Sequence, residues 1–205
     1  MCKNDVKIRI ASVDDAEEIL KIYSPYIEKT AVTFEYEIPD ISEFRERIKN
    51  TLKRYPYLIA EADGRIAGYA YTGAFHPRAA YGWAAEVSVY LDENKRGMGI
   101  GRKLYNALEH ISKMHNILNL NACIASPISP DEHLTTASIK FHEKMSYKMV
   151  GKFHKCGYKF NTWYDMVWME KLIGGHCENP DPVIPFPQLS EQCSIYLESL
   201  QSDRG

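Results

Sequence analysis

The sequence predicts an α/β fold in which a mixed sheet carries helices on its faces, a three-layer arrangement. Three observations predict it. Short runs rich in β-branched and aromatic residues alternate with longer amphipathic stretches, in the order β-α-α-β-β-β-α-β-α-β-β. Helix-start residues stand where the first longer stretches begin. With 205 residues, 45% hydrophobic and 25% charged, the chain has the size and composition of one globular domain with room for an appendage.

The first strand falls at 6–10, where charged and β-branched residues alternate. Ser12 then serves as an N-cap with Asp15 as its capping-box acid, and Ile19, Leu20, Ile22, Tyr23 and Ile27 give the first helix its apolar stripe. Asp40 caps a second helix, with Glu43 at the reciprocal position and Phe44 and Ile48 facing inward. Residues 57–61 form a short apolar strand, Asp63-Gly64 a hairpin turn, and 66–75 a long strand. The fourth strand, 83–91, places Val87, Val89 and Leu91 on one face. A glycine-rich turn leads to a helix over 100–115, then a buried strand at 117–124 and a helix at 133–145. Two strands near 147–155 and 161–171 close the core, and there is no internal repeat.

Past Ile173 the composition changes. We divide the chain into a domain at 1–173 and a Pro-rich, acidic C-terminal extension at 174–205, which holds four of the ten prolines and five acids against one arginine. One reading is a poorly ordered extension with a short helix near 194–200. The other is an arm anchored by Ile184, Phe186 and Leu189 on its own core or on a partner subunit.

Charge and composition exclude several functions. A net charge of −2 argues against a nucleic-acid binder held by counterion release. No apolar run approaches the ~20 residues that span a bilayer. The stretch 1–5 is polar with no signal-peptide core behind it, so a cytoplasmic protein is expected. Cys2, Cys123, Cys156, Cys177 and Cys193 are odd in number and lack Cys-x-x-Cys spacing, which suits reduced thiols. No ligand spacing suggests a metal site or a catalytic cysteine.

The strongest chemical signal is Arg96-Gly97-Met98-Gly99-Ile100-Gly101, between a strand and a helix. Glycines there could serve only to turn the chain. Placed at a helix start, they also present backbone N–H groups to an anion. A P-loop would end in Gly-Lys-Ser/Thr, whereas this turn ends in Gly101-Arg102-Lys103. A dinucleotide fold would carry its glycines after the first strand, not the fourth.

Arg-x-x-Gly-x-Gly in this place resembles the acyl-CoA pyrophosphate loop of the GNAT N-acetyltransferases, and the element order is similar over 6–171. Thr33-Phe34-Glu35, Ala85-Glu86-Val87-Ser88-Val89-Tyr90, Ala137-Ser138-Ile139-Lys140-Phe141-His142-Glu143, Gly157-Tyr158-Lys159 and Trp163-Tyr164-Asp165 resemble the phosphinothricin / methionine sulfoximine acetyltransferase branch. The resemblance implies a mixed, mostly antiparallel seven-stranded sheet flanked by helices. It implies acetyl-CoA as co-substrate and no metal. Val89, Tyr90 and Leu91 would hold the pantetheine arm. Gly97, Met98, Gly99, Ile100 and Gly101 would hold the pyrophosphate, with Arg96 and Arg102 nearby and Thr135 and Ser138 along the arm.

Glu86 matches the family's glutamate and is the candidate base; His142 is the second candidate, and water could serve either. Phe34, Tyr71, Arg78 and Tyr81 match the acceptor pocket, with a contribution from Lys159. Trp163 and Tyr164 could equally be core or interface aromatics. Thr135 replaces the family's Asn and Ser146 its Gly, while the loop 126–133 is longer than expected. The expected activity is direct acetyl transfer to the α-amine of a small amino-acid analogue such as phosphinothricin, methionine sulfoximine or methionine sulfone. Its rivals are a GNAT enzyme for a polyamine, an aminoglycoside or a protein N-terminus, and a non-catalytic acyl-CoA sensor. The resemblance also implies a homodimer, which the aromatics Phe160, Trp163, Tyr164 and Trp168 would serve.

Overall fold

A computed structural model describes residues 6–202. Cys2 and the polar start of the chain, with Asp203 and Arg204 of the acidic tail, lie outside the described residues.

Strand β1 (Val6–Ile10) ends where Ser12 and Asp15 form the expected capping box: Asp14 N–H donates to the Ser12 hydroxyl at 3.2 Å and Ser12 N–H to the Asp15 carboxylate at 2.7 Å. That turn feeds α1 (Ala16–Lys29), whose Ile19, Ile22, Tyr23, Tyr26 and Ile27 are buried. Helix α2 (Ile41–Leu52) starts at Asp40, whose carboxylate accepts the N–H groups of Ser42 and Glu43. Glu43, placed to reciprocate, takes Arg47 instead at 2.6 Å.

Strands β2 (Tyr57–Ala62) and β3 (Arg65–Ala74) form a hairpin whose turn residues Asp63 and Gly64 have φ of 55° and 73°, as an Asp-Gly turn requires. Strand β4 (Ala84–Leu91), helix α3 (Ile100–Met114), strand β5 (Asn119–Ser126) and helix α4 (Ala137–Lys144) follow. Strands β6 (Lys148–Lys159) and β7 (Thr162–Leu172) close a seven-stranded sheet of order β1-β2-β3-β4-β5-β7-β6. Every neighbouring pair is antiparallel except β4 with β5.

Helices α1 and α2 cover one face, packing on Tyr57, Ile59 and Tyr69. Helix α3 covers the other, where Leu104, Leu108 and Ile111 meet Leu58, Ala60, Ala70, Ala85 and Val87. The α/β layering is therefore the one expected.

Two elements depart from the sequence reading. Helix α4 begins at Ala137 rather than at 133, because the Asp131 carboxylate takes the N–H groups of His133 and Leu134 at 2.8 and 2.7 Å and folds that stretch into a turn. Strand β6 runs on to Lys159 through a bulge between Phe153 and Gly157. The buried Asp165 carboxylate holds that bulge, accepting Lys155 N–H at 2.9 Å and pairing with Lys152 at 2.7 Å.

The extension lies on its own core. Trp83 Nε1–H donates to the Asp181 carbonyl, Asn116 to the Pro182 carbonyl and Ile184 N–H to the His115 carbonyl. Phe186 is buried and stacked on His115 at 5.7 Å. Helix α5 (Ser190–Ser202), longer than expected, buries Cys193 and Leu197 beside β1.

Candidate active site

The site begins with a defect in the sheet. Strands β4 and β5 pair only through Ala84–Glu86 and Asn119–Asn121, then diverge. Between them opens a cleft of about 500 Å³. Its walls are 87–91 of β4 and 122–125 of β5; Thr135, Ser138, Phe141 and His142 line it from α4 and the loop before, and Gly97 and Gly101 lie at one end.

Backbone polarity alternates along a strand. The Ala85 carbonyl faces β5 and accepts Asn121 Nδ2–H at 3.3 Å. Six residues on, Leu91 faces the same side, and both its groups are taken by Tyr26: the hydroxyl donates to the Leu91 carbonyl at 2.7 Å and accepts Leu91 N–H at 3.1 Å. The parallel pairing ends with Val87 N–H turned to the Asn121 carbonyl; beyond it the Val87 carbonyl and both backbone groups of Val89 face the cleft with no strand opposite. Of the three strand residues expected to hold the pantetheine arm, Val89 keeps that geometry. Tyr90 turns its backbone toward β3, and Leu91 is satisfied by Tyr26. Val87 and Tyr26 were not legible as site residues.

The glycine turn sits where the chain leaves β4. Gly97 and Gly99 have φ of 80° and 78°, and Gly99 is the N-cap of α3 without a side-chain cap. The first-turn N–H groups of α3 are thus open to an anion, with the helix dipole adding to their pull. The Arg96 guanidinium lies 5.2 Å over the Tyr26 ring, and Arg102 is exposed on the first helical turn. Met98 and Ile100 pack toward the core below the turn.

Glu86 is the last β4 residue paired with β5, immediately before the strand opens into the cleft. It alternates with Ala85 and Val87, which face α3, so its side chain lies on the opposite face with Ser88 and Tyr90. It is half-buried, has no hydrogen-bond or ion-pair partner among the described residues, and burial pushes its carboxyl above the usual range. Tyr71, at the end of a stack with Tyr57 and Tyr69, bonds Ser88 and feels the Glu86 charge. Cys123 of β5 lines the cleft nearby; burial first, then the Glu86 charge, push its thiol up to about 12.

His142 is almost fully buried. Its Nδ1 lies 2.8 Å from the Ser138 carbonyl, which can only accept, so Nδ1 carries the proton. Its Nε2 then accepts from the Tyr105 hydroxyl at 2.8 Å. Both nitrogens are engaged and burial lowers the ring's pKa, so the geometry leaves it no free lone pair for acid–base work.

The loop 30–40 packs against β6 and β7. Phe34 seats its ring against Gly157, where a Cβ would collide with it, and tilts over Tyr164 at 6.4 Å. Lys159, expected at the acceptor, gives its ammonium to the carbonyls of Thr30 and Thr33 at 2.9 and 2.8 Å. That contact pins the loop. Arg78 and Tyr81 sit in the exposed β3–β4 loop, with Tyr81 packed on Phe75 and His76. That loop leaves β3 at Ala74, the register partner of Ala85, so it flanks Glu86. Thr135 accepts Ala137 N–H at 3.3 Å ahead of α4. Ser146 adopts φ 69°, the conformation that favours the glycine it replaces.

A second hollow of about 940 Å³ lies across the 92–96 link. Two of its cations are matched by acids, Lys95 with Asp63 at 2.8 Å and Lys29 with Glu93 at 3.9 Å. Among the described residues no group of three or more His, Cys, Asp or Glu could hold a metal, and no helix is long and apolar enough to cross a membrane.

Comparison with known proteins agrees with this geometry. The family model described as "Acetyltransferase (GNAT) domain" matches residues 8–168. A phosphinothricin N-acetyltransferase of Streptomyces viridochromogenes is 30% identical over 187 residues, covering 91% of this chain and 98% of the relative. An L-methionine sulfoximine/L-methionine sulfone acetyltransferase of Pseudomonas aeruginosa is 30% identical over 166 residues, 80% of this chain and 92% of the relative. Among solved structures, a GNAT superfamily phosphinothricin acetyltransferase from Sinorhizobium meliloti, in complex with AcCoA, superposes with a TM-score of 0.80 at 28% identity over 89% of this chain and 97% of that one.

Proposed function

Since this chain belongs to the GNAT acetyltransferase family, we propose that it moves the acetyl group of acetyl-CoA to the α-amine of a small zwitterionic amino-acid analogue. Phosphinothricin, methionine sulfoximine and methionine sulfone are the leading acceptors. The observation that carries this reading is the unpartnered, half-buried Glu86 where β4 parts from β5, next to a cleft edged by the open Val87 carbonyl and Val89 backbone.

The residues present fit the donor. The open N–H groups at Gly99–Gly101 suit a pyrophosphate, and Arg96 and Arg102 add charge beside it. The backbone of Val87 and Val89 suits the amides of a pantetheine arm, with Thr135 and Ser138 on the far wall. Bound there, acetyl-CoA supplies a thioester carbonyl. A β4 N–H facing the cleft stabilises negative charge that builds on the carbonyl oxygen.

An amino-acid amine is mostly protonated at neutral pH, so a base must remove a proton. Glu86 is that base, directly or through one water. Its desolvated carboxylate holds a proton more tightly than a surface carboxylate and is correspondingly stronger. Cys123, kept neutral by its surroundings, is unsuited to form an acetyl-enzyme, which favours direct transfer. Phe34, Tyr71, Tyr81 and Arg78 surround the acceptor; an Arg suits a carboxylate, phosphinate or sulfone oxygen. His142 contributes by fixing Tyr105, not as a second base.

We also propose a homodimer. Phe160, Tyr164 and Trp168 are engaged inside the chain, by His133, Asp131 and Phe75 respectively. Exposed Met149, Val150 and Phe153 of β6 and Trp163 of β7 support the pairing instead. Free Cys123, Cys156 and Cys177 support a reducing, cytoplasmic setting.

Acetyl-CoA turnover over a panel of amines tests the reading. The three analogues should exceed spermidine, an aminoglycoside and an N-terminal peptide by at least about tenfold in kcat/KM, since a lone Arg–carboxylate contact is worth that much. Preference for a polycation would overturn the acceptor class. Acetyl-CoA binding without turnover on any amine would make the chain a sensor.

A further inference from the structure

We propose that Tyr26 is a positioning residue for acyl-CoA: one side chain that fixes the spacing between the polar edge of β4 and the pyrophosphate turn. The inference rests on the acetyl-CoA reading of the cleft.

Strand β4 ends at Leu91 and the anion turn begins at Arg96, joined by a short link. A ligand that bonds both the strand edge and the turn has a fixed reach, so the length and shape of that link decide whether both contacts form together. The link caps itself at the front, where Asp92 accepts Asn94 N–H at 2.8 Å. Its two ends, however, are held by the same side chain of α1. At one end the Tyr26 hydroxyl stands in for a missing strand partner, bonding the Leu91 carbonyl at 2.7 Å and its N–H at 3.1 Å. At the other, the Tyr26 ring supports the Arg96 guanidinium at 5.2 Å.

Tyr26 is itself rigid. It is 8% exposed, its ring meets Tyr90 edge-on at 5.1 Å, and its own carbonyl accepts the Thr30 hydroxyl at 2.7 Å. It lines both hollows and forms the wall between them. By satisfying Leu91 it ends the edge there, so that the Val87 carbonyl and the Val89 backbone stay open. By holding Arg96 it points the following N–H groups at the same ligand. Tyr26 touches no reacting atom in this arrangement; it acts through Leu91 and Arg96.

Calorimetric binding of CoA, without acceptor, tests the proposal on the full chain. Tyr26→Phe keeps the ring and its seat and removes only the hydroxyl. Its Kd for CoA should rise about tenfold, the scale of one hydrogen bond. Tyr26→Leu, which also removes the support of Arg96, should weaken CoA further. In turnover, Tyr26→Phe should raise KM for acetyl-CoA while leaving KM for the acceptor within about twofold, a split that general loosening of the fold would not give. Tyr26→Phe binding CoA within twofold of the native chain would overturn the proposal. A crystal structure of the native chain with CoA gives a second test that needs no variant. Tyr26 Oη should still bridge the Leu91 N–H and carbonyl, and its displacement by the ligand would overturn the proposal. Failure of the native chain to bind CoA at all would instead overturn the donor assignment, and this inference with it.

Discussion

Glu86 shows how an exposed role and a buried setting conflict within one side chain. Its carboxyl is raised by burial and has no counter-charge, so the ionised form is disfavoured in the folded state. A raised folded pKa means that the group's stabilising contribution is full below the unfolded value and is lost as pH rises through the folded one. Glu86→Gln should therefore melt higher than the native chain at pH 7, by differential scanning calorimetry. The same variant should lower kcat roughly 10²-fold or more while CoA binding holds, the scale of acid–base catalysis. In the native enzyme the rising limb of kcat/KM against pH should lie above the ordinary Glu range, because the active form is the ionised one. A stabilised and fully active Gln variant would transfer the base role to water. Lys159 belongs to the same scale. Its ammonium satisfies two carbonyls of the loop that carries Phe34, so Lys159→Met should raise acceptor KM and leave acetyl-CoA KM unchanged.

Elements position these residues through local departures from regularity. The β6 bulge, tied down by Asp165, brings Gly157 under the Phe34 ring. Gly157→Ala should cost roughly 1–3 kcal/mol by overpacking and, by moving Phe34, raise acceptor KM in steady-state assays while CoA affinity holds. Much of the element order was legible because its signals are local: the Ser12 and Asp40 caps, the Asp63-Gly64 turn, the glycines at 97 and 99. The β6–β7 turn was harder to place, since Phe160 and Asn161 take φ of 49° and 56° without a glycine between them. Helix α4 was drawn too long because Asp131, which caps a turn, is also a common helix starter. The anion turn could be read from residue type and position, and Glu86 from the family resemblance. Val87 and Tyr26 could not, because their roles arise from where β4 leaves β5, and strand divergence leaves no mark in hydrophobic periodicity.

At the scale of the whole molecule, the sheet is two half-sheets, β1–β4 and β5–β7, joined by one short parallel pairing. The C-terminal segment runs from the end of β7 past Asn119, Trp83 and His115 to Arg54 and β1, and so straps the halves together at the closed end of the cleft. Phe186→Ala should cost about 3–5 kcal/mol of stability by chemical denaturation, as for other buried aromatics. Removal of 174–205 should lower the melting temperature more than that single change. Beneath Phe186, His115 is buried with Nε2 unpartnered, and burial lowers its pKa from 6.5 to about 4. The unfolded chain then binds the proton first, so stability should fall as pH drops from about 6.5 toward 4, and His115→Phe should flatten that slope in melting curves. Light scattering at micromolar concentration should give twice the chain mass for the proposed dimer; a single mass would remove it. The open end of the cleft has a different consequence. The Val89 amide sits in the middle of a sheet yet has no strand to bond, so its proton should exchange with solvent deuterium nearly as fast as those of a surface loop. Neighbouring Tyr90, bonded toward β3, should exchange orders of magnitude more slowly. A bound acyl-CoA would then behave as an inserted eighth strand, and its arrival should be recorded as new protection at that amide.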